Sequence, residues 1–313
     1  MQNKLELVLS NSFDPYFNLA LEEELFNHIE ENKITLFLWQ NENTVVIGRN
    51  QNAYKECDYA LLKKDGGKLA RRLSGGGAVY HDLGNLNFTI LSKSVLFDIH
   101  KNLKVITSAL EKFNIKAEFS GRNDILVNGL KFSGNAYYYD EDRCCHHGTI
   151  LISSDLNKLT KYLTVSENKL KWKGIDSVRA RVTNLIEINP NVNVKEIKEA
   201  LINSFYKVFQ GEICKKPLVF KDDLTLDNLI KKYSSFDFIF GQNPSFDISI
   251  TKKYDFGELD INLSLKDGII SDIVIYTDAL DVQFINVLKQ NLRGKIFHEE
   301  MIDALVKKGR MLK

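Results

Sequence analysis

The sequence is poor in the features that mark several classes of protein. Its 313 residues include only four cysteines, none spaced as a CxxC pair, and the adjacent Cys144 and Cys145 are poorly placed to bridge each other. A reducing cytoplasm is therefore the expected compartment. No apolar run approaches the roughly 18 residues of a membrane span, and the N-terminus lacks a basic segment followed by an apolar one. We therefore expect no membrane association.

Net charge is also scarce. The chain has 42 lysines and arginines against 41 aspartates and glutamates, which leaves a formal charge of +1. This balance provides no bulk electrostatic attraction to nucleic acid or to a membrane surface, so neither is expected as a partner. The length suits one large domain plus a small one. We expect a cytoplasmic, monomeric globular protein.

The common nucleotide-binding and hydrolase loops are missing as well. The chain has no GxxxxGK[ST], no GxGxxG that opens a helix and no GxSxG. Instead, three consecutive glycines, Gly75 to Gly77, follow Ser74 and precede a β-type run, Ala78 to His81. A nucleotide held here would be bound by a glycine-rich segment inside a sheet.

The chemistry of this glycine-rich stretch suits an anion. Residues without a Cβ allow positive φ and let a ligand lie against the main chain, where successive N–H groups can bind phosphate or carboxylate. Arg71 and Arg72 lie just upstream, and a guanidinium holds such oxygens bidentately. The stretch therefore predicts a cradle for an acyl carboxylate and a phosphate. The alternative is a mobile surface loop with a basic flank.

Asp14 and Pro15 predict the start of a helix, because aspartate caps helix N-termini and proline suits the first turn. The next apolar residues recur every four positions on one face, at Phe17, Leu21, Leu25 and Ile29. Glu22 to Glu24 fall mostly off that stripe. We interpret them as a solvated helix face rather than as an acidic site.

Two turn signals predict β-hairpins. The β-rich runs Thr35 to Trp39 and Thr44 to Gly48 are joined by four polar residues. Further on, Asn128-Gly129 separates two short β-type runs, which favours a type I′ turn. The second hairpin puts Lys131 at the head of a strand.

Lys131 is the most interesting single side chain. From this position its ammonium can lie over an anion bound at the glycines. There it would neutralise a carboxylate and a phosphate that otherwise repel each other, and would stabilise the charge that develops during group transfer. The alternative is a solvent-facing lysine in a hairpin.

The run Cys144-Cys145-His146-His147 raises two further alternatives. Adjacent histidines on a strand point to opposite faces, and no carboxylate or thiol spacing completes a zinc site, so packing or hydrogen bonding of His147 is favoured over metal ligation. A cysteine–histidine nucleophile would need a geometry that sequence neighbours rarely achieve. It remains the competing mechanism.

The composition changes near residues 241–244. Leucines and isoleucines alternate with polar residues over 259–265, Asp267-Gly268 turns the chain, and helices are expected around 281–291 and 298–307. We therefore predict a domain over 1–244 and a small α+β domain over 245–313. The basic segment from Lys169 to Asn184 lacks a helical period and is interpreted as a loop that covers a ligand.

Taken in order, these motifs closely resemble the lipoate–protein ligases, of the long bacterial kind with a C-terminal domain. The matching residues are Ser12-Phe13-Asp14-Pro15-Tyr16-Phe17-Asn18-Leu19-Ala20, Thr44-Val45-Val46-Ile47-Gly48-Arg49, Arg71 to Asn85, Gly121-Arg122-Asn123-Asp124, Lys131-x-Ser133-Gly134-x-Ala136, His146-His147-Gly148-Thr149, Lys173-Gly174-Ile175-x-Ser177-Val178-Arg179 and Gly241-Gln242-x-Pro244. Each motif is weak alone, but the ordered set is highly specific.

The resemblance implies an α+β fold: a catalytic domain with a mixed sheet flanked by helices, similar to that of biotin–protein ligases, and a small accessory domain. It implies a ligase that uses ATP and Mg²⁺ to convert lipoate to lipoyl-AMP. The lipoyl group then passes to a lysine on a lipoyl domain of a 2-oxoacid dehydrogenase E2 or on the H protein of glycine cleavage.

The family's functional residues carry over onto matching positions. Lys131 resembles the catalytic lysine, and no residue resembles a dedicated metal ligand. The resemblance implies ATP or adenylate contacts for Arg72, Gly77, Ala78, Val79, Tyr80, Asp124 and Lys131. It implies lipoate contacts for Arg71, Arg72, Ser74, Gly75, Gly76, Gly77, Asn85, Lys131, Ser133, Gly134, Ala136, His147 and Gly148.

Two departures and two alternatives accompany the resemblance. Some relatives have an arginine where this chain has Tyr138, and the C-terminal domain is somewhat short. A lipoyl or octanoyl transferase of related fold would use a cysteine thioester, for which Cys145 is the candidate, and no ATP. A protein that only holds lipoate or an adenylate is the third possibility.

Overall fold

The structure is a computed structural model that describes residues 3–120, 123–164, 182–214, 224–241 and 246–311. Its larger part is built on an eight-stranded sheet. The strands in order across the sheet are β11 (Glu212–Ile213), β1 (Lys4–Leu9), β2 (Lys33–Trp39), β6 (Asn85–Lys93), β10 (Arg143–Leu151), β9 (Leu130–Asp140), β8 (Asp124–Val127) and β7 (Ala117–Phe119). β1 runs parallel to β11 and β2, whereas the other neighbours are antiparallel. The predicted mixed sheet is confirmed.

Helices cover both faces of this sheet. On one face, α4 (Ile99–Glu111) and α6 (Val194–Phe209) contribute apolar side chains to the largest core cluster. On the other, α1 (Pro15–Asn27) and α7 (Leu224–Ser234) pack over Val8, Phe37 and Leu91. From the C-terminal end of β2 the chain continues into a second, smaller sheet.

The second sheet has the order β4 (Lys68–Arg71), β3 (Thr44–Ile47), β5 (Val79–His81), with β3 parallel to β4 and antiparallel to β5. Four short helices surround it: α2 (Ala53–Glu56), α3 (Tyr59–Lys64), α5 (Leu156–Tyr162) and α8 (Phe236–Phe240). The glycine-rich stretch therefore connects two strands, β4 and β5, that flank the same central strand.

One predicted hairpin is wrong. β2 and β3 do not pair: β2 lies between β1 and β6 of the large sheet, while β3 is the centre of the small one. β2 is buried along nearly its whole length because it is a central strand. The polar residues 40–43 carry the chain from one sheet to the other instead of reversing it.

The other local predictions hold. Asp14 caps α1, since its carboxylate accepts a hydrogen bond of 2.8 Å from the backbone N–H of Tyr16. Asn128 and Gly129 have φ values of 51° and 78°, as a type I′ turn requires, and join β8 to β9 in antiparallel register. Lys131 accordingly lies at the start of β9.

The expectation of a solvated glutamate face on α1 is also wrong. Glu22 and Glu24 are only 6% and 7% exposed. Glu23, between them, forms a 2.7 Å ion pair with Lys232 of α7. The helix is enclosed by the sheet and by α7, so positions off the apolar stripe are buried as well.

The C-terminal unit is a three-stranded antiparallel sheet covered by two helices. Its strands are β12 (Ile248–Tyr254), β13 (Gly257–Lys266) and β14 (Ile269–Thr277), and its helices are α9 (Val282–Leu292) and α10 (Glu299–Met311). They share a separate hydrophobic core. The predicted boundary at 244/245 lies outside the described residues and stays a prediction.

Backbone contacts join this unit to the glycine-rich region. The N–H of Thr277 donates to the carbonyl of Asn50 at 2.7 Å, and the N–H of Gly76 donates to the carbonyl of Ala279 at 3.1 Å. The short segment between β14 and α9 thus lies directly against the glycines. Within the parts of the chain described here, no helix has the length and apolar character needed to span a bilayer.

Candidate active site

A cavity of about 130 Å³ lies where the two sheets and the C-terminal unit meet. Its wall combines apolar side chains, exposed backbone and a few polar groups. The lining residues are Leu19, Trp39, Val46, Arg72, Gly76, Gly77, Ala78, Val79, His81, Asn87, Asn123, Lys131, Gly134, Asn135, Ala136, His147, Gly148, Thr149 and Leu280. This mixture suits a ligand with an apolar chain and an anionic end.

Arg72 holds the glycine loop in shape. Its guanidinium donates to the carbonyls of Val46, Gly75 and Gly77 and to the hydroxyl of Ser74, at 2.7–3.2 Å. Those bonds use four of the five N–H groups of an arginine and leave one for a ligand. Burial lowers the pKa of Arg72 to about 10, partly opposed by the charge of Glu22, so it is a cation at neutral pH.

Arg71 is directed away from the cavity. Its guanidinium donates to the backbone carbonyls of Arg49 at 2.9 Å and Gln51 at 2.7 Å, and also to Gly48, Phe238 and Ile239. It therefore ties β4 to the segment after β3 and to α8. The predicted lipoate contact of Arg71 is not among these bonds.

Lys131 and Asp124 form an ion pair at the cavity wall. The Lys131 Nζ lies 2.6 Å from the Asp124 Oδ1, and both side chains are about one-third exposed. The lysine passes directly over Gly134: a Cβ placed there would lie 3.0 Å from the Nζ. Gly134 thus provides the space that this ammonium occupies.

The chain returns to Lys131 after the basic segment. Val182 pairs with Lys131 in a parallel bridge, and the N–H of Thr183 donates to the Lys131 carbonyl at 2.9 Å. Most of the segment predicted to cover a ligand, residues 169–181, lies outside the described residues. The C-terminal end of the segment, at Val182 and Thr183, lies beside Lys131.

His147 lines the cavity and is held by hydrogen bonds at both ring nitrogens. Its Nδ1 lies 2.9 Å from the Glu22 Oε1, and its Nε2 lies 2.6 Å from the Ser74 Oγ. All three side chains are buried. Predicted packing or hydrogen bonding for His147 agrees with this geometry, in which both ring nitrogens are engaged.

His81 contributes a donor that the sequence interpretation overlooked. The amide of Asn18 donates to two backbone carbonyls and to the Asn41 Oδ1, so the Asn41 Nδ2 is the donor to the His81 Nδ1 at 3.2 Å. His81 must therefore carry its proton on Nε2, which has no partner among the described residues. Burial, together with the charge of the nearby Arg72 guanidinium, lowers the pKa of His81 to about 3, so the ring is neutral.

The two adjacent cysteines lie on β10 and are buried. Burial raises the pKa of Cys144 to about 11 and raises that of Cys145 further above its ordinary value. Both are therefore thiols at neutral pH, and a thiolate is the nucleophilic form. The neighbouring His147 has no free nitrogen to accept a thiol proton.

Among the described residues, Glu22, Cys145 and His147 form a group with metal-ligand donor types, whose donor atoms lie within 4.8 Å of one another. A metal ion would have to displace the Glu22–His147 hydrogen bond and deprotonate a thiol whose pKa is raised by burial. We therefore assign Glu22 and His147 to the hydrogen-bond network.

The structure brings most of the predicted site residues to the cavity. Seven do not line it: Arg71, Ser74, Gly75, Tyr80, Asn85, Asp124 and Ser133. Ser74 and Asp124 bond to residues that do, and Asn85 donates to the Asn87 Oδ1 at 2.9 Å. Tyr80 alternates with Val79 along β5 and points into the small core.

Several lining residues were missed for different reasons. His81, Asn123 and Thr149 lie within the matched motifs, so their positions were signalled without their roles. Asn87 lies on β6, two residues beyond the matched run that ends at Asn85. Leu280 comes from the C-terminal unit, and no motif indicated it. Tyr138, the departure from some relatives, packs against Phe26 at 5.0 Å between ring centres and does not line the cavity.

Comparison with known proteins gives the family. The family described as "Lipoyl protein ligase A/B catalytic domain" matches residues 14–206, and "Bacterial lipoate protein ligase C-terminus" matches residues 243–312. The lipoate-protein ligase A of Bdellovibrio bacteriovorus is 41% identical over 306 residues, which cover 96% of this chain and 90% of the relative.

Solved structures agree with this. LipL1 of P. falciparum in complex with lipoate has a TM-score of 0.82 at 34% identity, covering 97% of this chain and 94% of that one. A bi-partite lipoate protein ligase from Thermoplasma acidophilum, described with its E2 lipoyl domain, has a TM-score of 0.67 at 28% identity. The match covers 79% of this chain and 100% of that one. A lipoate-protein ligase A bound with ATP has a TM-score of 0.65 at 26% identity, and the match covers 77% of this chain and 99% of that one. The chain belongs to the lipoate–protein ligase family.

Proposed function

We propose that this ligase activates lipoate with ATP and then transfers the lipoyl group to a carrier protein. A lipoate carboxylate oxygen attacks the α-phosphorus, the bond to the β-phosphate oxygen breaks, and lipoyl-AMP and pyrophosphate form. The ε-amine of a carrier lysine then attacks the acyl carbonyl, loses a proton and displaces AMP. The observation that carries the proposal is the Lys131 ammonium above Gly134, at the wall of the cavity that Arg72 also lines.

Three polar side chains of the cavity have a role in this proposal. Lys131 contacts the acyl carbonyl and the α-phosphate and stabilises the charge that develops there. The remaining N–H of Arg72 and the Nε2–H of His81 donate to anionic oxygens of the ligand. The backbone at Gly77, Ala78 and Val79 borders the adenylate.

The other predicted residues act from outside the lining. Arg71 ties β4 to the segment after β3, and Ser74 links His147 to Arg72. Gly75 lets the glycine loop lie against the backbone of the C-terminal unit, and Asp124 orients Lys131. Tyr80 anchors β5, and Asn85 orients Asn87. Ser133, Gly134, Ala136 and Gly148 form the lipoate-side wall and its backing.

Mg²⁺ fits this site as a companion of ATP. No carboxylate lines the cavity within the described residues, and Asp124 beside it is paired with Lys131. Mg²⁺ keeps several waters and binds phosphates with one or two carboxylates, so the triphosphate and Asp124 would hold it. It would neutralise phosphate charge when bound.

The proposed acceptors are lipoyl domains of 2-oxoacid dehydrogenase E2 and the glycine-cleavage H protein. The support is the archaeal relative that is described together with its E2 lipoyl domain. The transferase alternative has less support, because its nucleophile would be a buried thiol without a base.

The test is pyrophosphate release from ATP on adding lipoate and Mg²⁺ without carrier protein. Lipoate-dependent release, with lipoyl-AMP detected by mass, is the expected result. No release together with acyl transfer from a lipoylated carrier would favour the thioester route through Cys145. Lipoate binding without either reaction would favour a protein that only holds its ligand.

A further inference from the structure

A chain of buried hydrogen bonds connects a carboxylate to the guanidinium at the cavity wall. Glu22 contacts the His147 Nδ1 at 2.9 Å, the His147 Nε2 contacts the Ser74 Oγ at 2.6 Å, and the Arg72 Nε contacts the same Oγ at 3.0 Å. All four side chains are at most 7% exposed. Only Arg72 and His147 line the cavity.

Donor and acceptor chemistry fixes the direction of this chain. An arginine Nε can only donate, so the Ser74 oxygen accepts from it. The Ser74 hydroxyl then donates to the His147 Nε2, which leaves the imidazole proton on Nδ1, where it is donated to Glu22. An imidazolium would instead leave the Ser74 hydroxyl with only a 3.4 Å contact to the Gly75 carbonyl.

Glu22 is itself oriented by a second set of donors. The Thr89 hydroxyl donates to its Oε1 at 2.6 Å, and the indole N–H of Trp39 donates to the Thr89 oxygen at 3.0 Å. Thr89 lies opposite His147 in the register of β6 and β10. The carboxylate is therefore fixed between two strands of the large sheet and α1.

Because both nitrogens of His147 are engaged, this histidine has no lone pair with which to abstract a proton from a substrate. Its contribution is to hold Ser74, and Ser74 shares the Arg72 guanidinium with Gly75 and Gly77. The hydrogen bonds that begin at Glu22 therefore end at the guanidinium that holds the glycine loop.

We propose that Glu22 is a positioning residue of the acyl-binding site: its carboxylate keeps the His147 proton on Nδ1, and His147 and Ser74 thereby align Arg72 and the glycine loop. This inference rests on the proposed function for its kinetic consequence. The tautomer itself does not depend on that function.

The test compares two substitutions on α1 that each replace a carboxylate by an uncharged amide. Glu22→Gln removes the buried charge, whereas Glu24→Gln removes an equally buried one whose histidine, His28, lies at the exposed surface. Lipoate-dependent ATP–pyrophosphate exchange gives KM and kcat, and ¹⁵N-histidine NMR, assigned with His147→Gln, reports the tautomer.

For Glu22→Gln we expect loss of the Nδ1–H tautomer and a rise of about tenfold in the KM for lipoate, with kcat changed about threefold at most. Glu24→Gln should match the wild type in both readouts. Thr89→Val, which keeps the side-chain shape but removes one donor to Glu22, should raise KM about threefold in the same direction. If Glu22→Gln does not fold, Thr89→Val tests the proposal in its place.

An unchanged tautomer, or a KM within twofold of the wild type in both Glu22→Gln and Thr89→Val, would overturn the proposal. So would equal losses in the Glu22 and Glu24 variants, because these would reflect general destabilisation. Wild-type protein without lipoate-dependent exchange would refute the proposed function, and the NMR tautomer would still decide the role of Glu22.

Discussion

The ammonium of Lys131 lies 2.6 Å from the carboxylate of Asp124 and directly above Gly134. The lysine is thus held before any ligand arrives, by a partner on the neighbouring strand β8. Both groups are partly exposed, so the pair contributes little to stability. Its importance lies in where it puts the positive charge.

Replacement of Lys131 by alanine should abolish adenylation with little effect on folding. We expect lipoate-dependent pyrophosphate release to fall at least roughly a hundredfold, because a preorganised charge at the transferring group is lost. Lys93→Ala is a matched control. Lys93, on β6, also forms an ion pair with an aspartate, at 2.9 Å from Asp142, but does not line the cavity. Full activity of the Lys131 variant would refute the assigned role.

Gly134→Ala should act through Lys131. The added Cβ would lie 3.0 Å from the lysine Nζ, closer than ordinary contacts, and the flexible end of the lysine must move. We expect about a tenfold loss in kcat/KM at nearly unchanged Tm, because small displacements of a catalytic group are costly. In the double variant with Lys131→Ala, Gly134→Ala should cost nothing more, whereas additive losses would contradict this coupling.

Local chemistry made part of this site predictable. Asn128-Gly129 determines a tight turn almost alone, so the position of Lys131 at the start of a strand followed from a dipeptide. The glycine-rich stretch was likewise recognisable, because Gly76 has a φ of 91° and Gly75 lies closely against the backbone of Ala279 and Leu280.

Long-range packing made the rest unpredictable. β2 and β3 have the pattern of a hairpin, but their partners β6 and β5 come later in the chain. Glu22 sits off the apolar stripe of α1, and only the fold shows that α7 and the sheet enclose it beside His147. Leu280 reaches the cavity from the C-terminal unit, a contact without local signature.

Serine in place of both Cys144 and Cys145 should leave ligation within about threefold of the wild type. Burial raises the pKa of both thiols, to about 11 for Cys144, so neither is a ready nucleophile at neutral pH. The measurement is transfer of lipoate to a lipoyl domain, together with the rate of alkylation by iodoacetamide, which should be slow. Complete loss of transfer in a folded variant would point to the thioester route.

The stability of the protein should fall as pH is lowered from 6.5 toward 3. Burial lowers the pKa of both His81 and His146 to about 3, whereas both titrate near 6.5 in the unfolded chain. The unfolded state therefore binds more protons over this range, and the free energy of unfolding decreases as pH falls. Between pH 6.5 and 5, each histidine contributes about 2 kcal/mol to the decrease in the free energy of unfolding.

Urea unfolding at several pH values checks this prediction. His146→Phe keeps a ring between Phe88 and Tyr137 and should remove roughly half of the decrease that the two histidines cause. His28→Gln, which replaces an exposed histidine, is the control for removing an imidazole from the chain. If His146→Phe unfolds with the pH dependence of the wild type, the buried neutral state of His146 is not what makes the fold acid-sensitive.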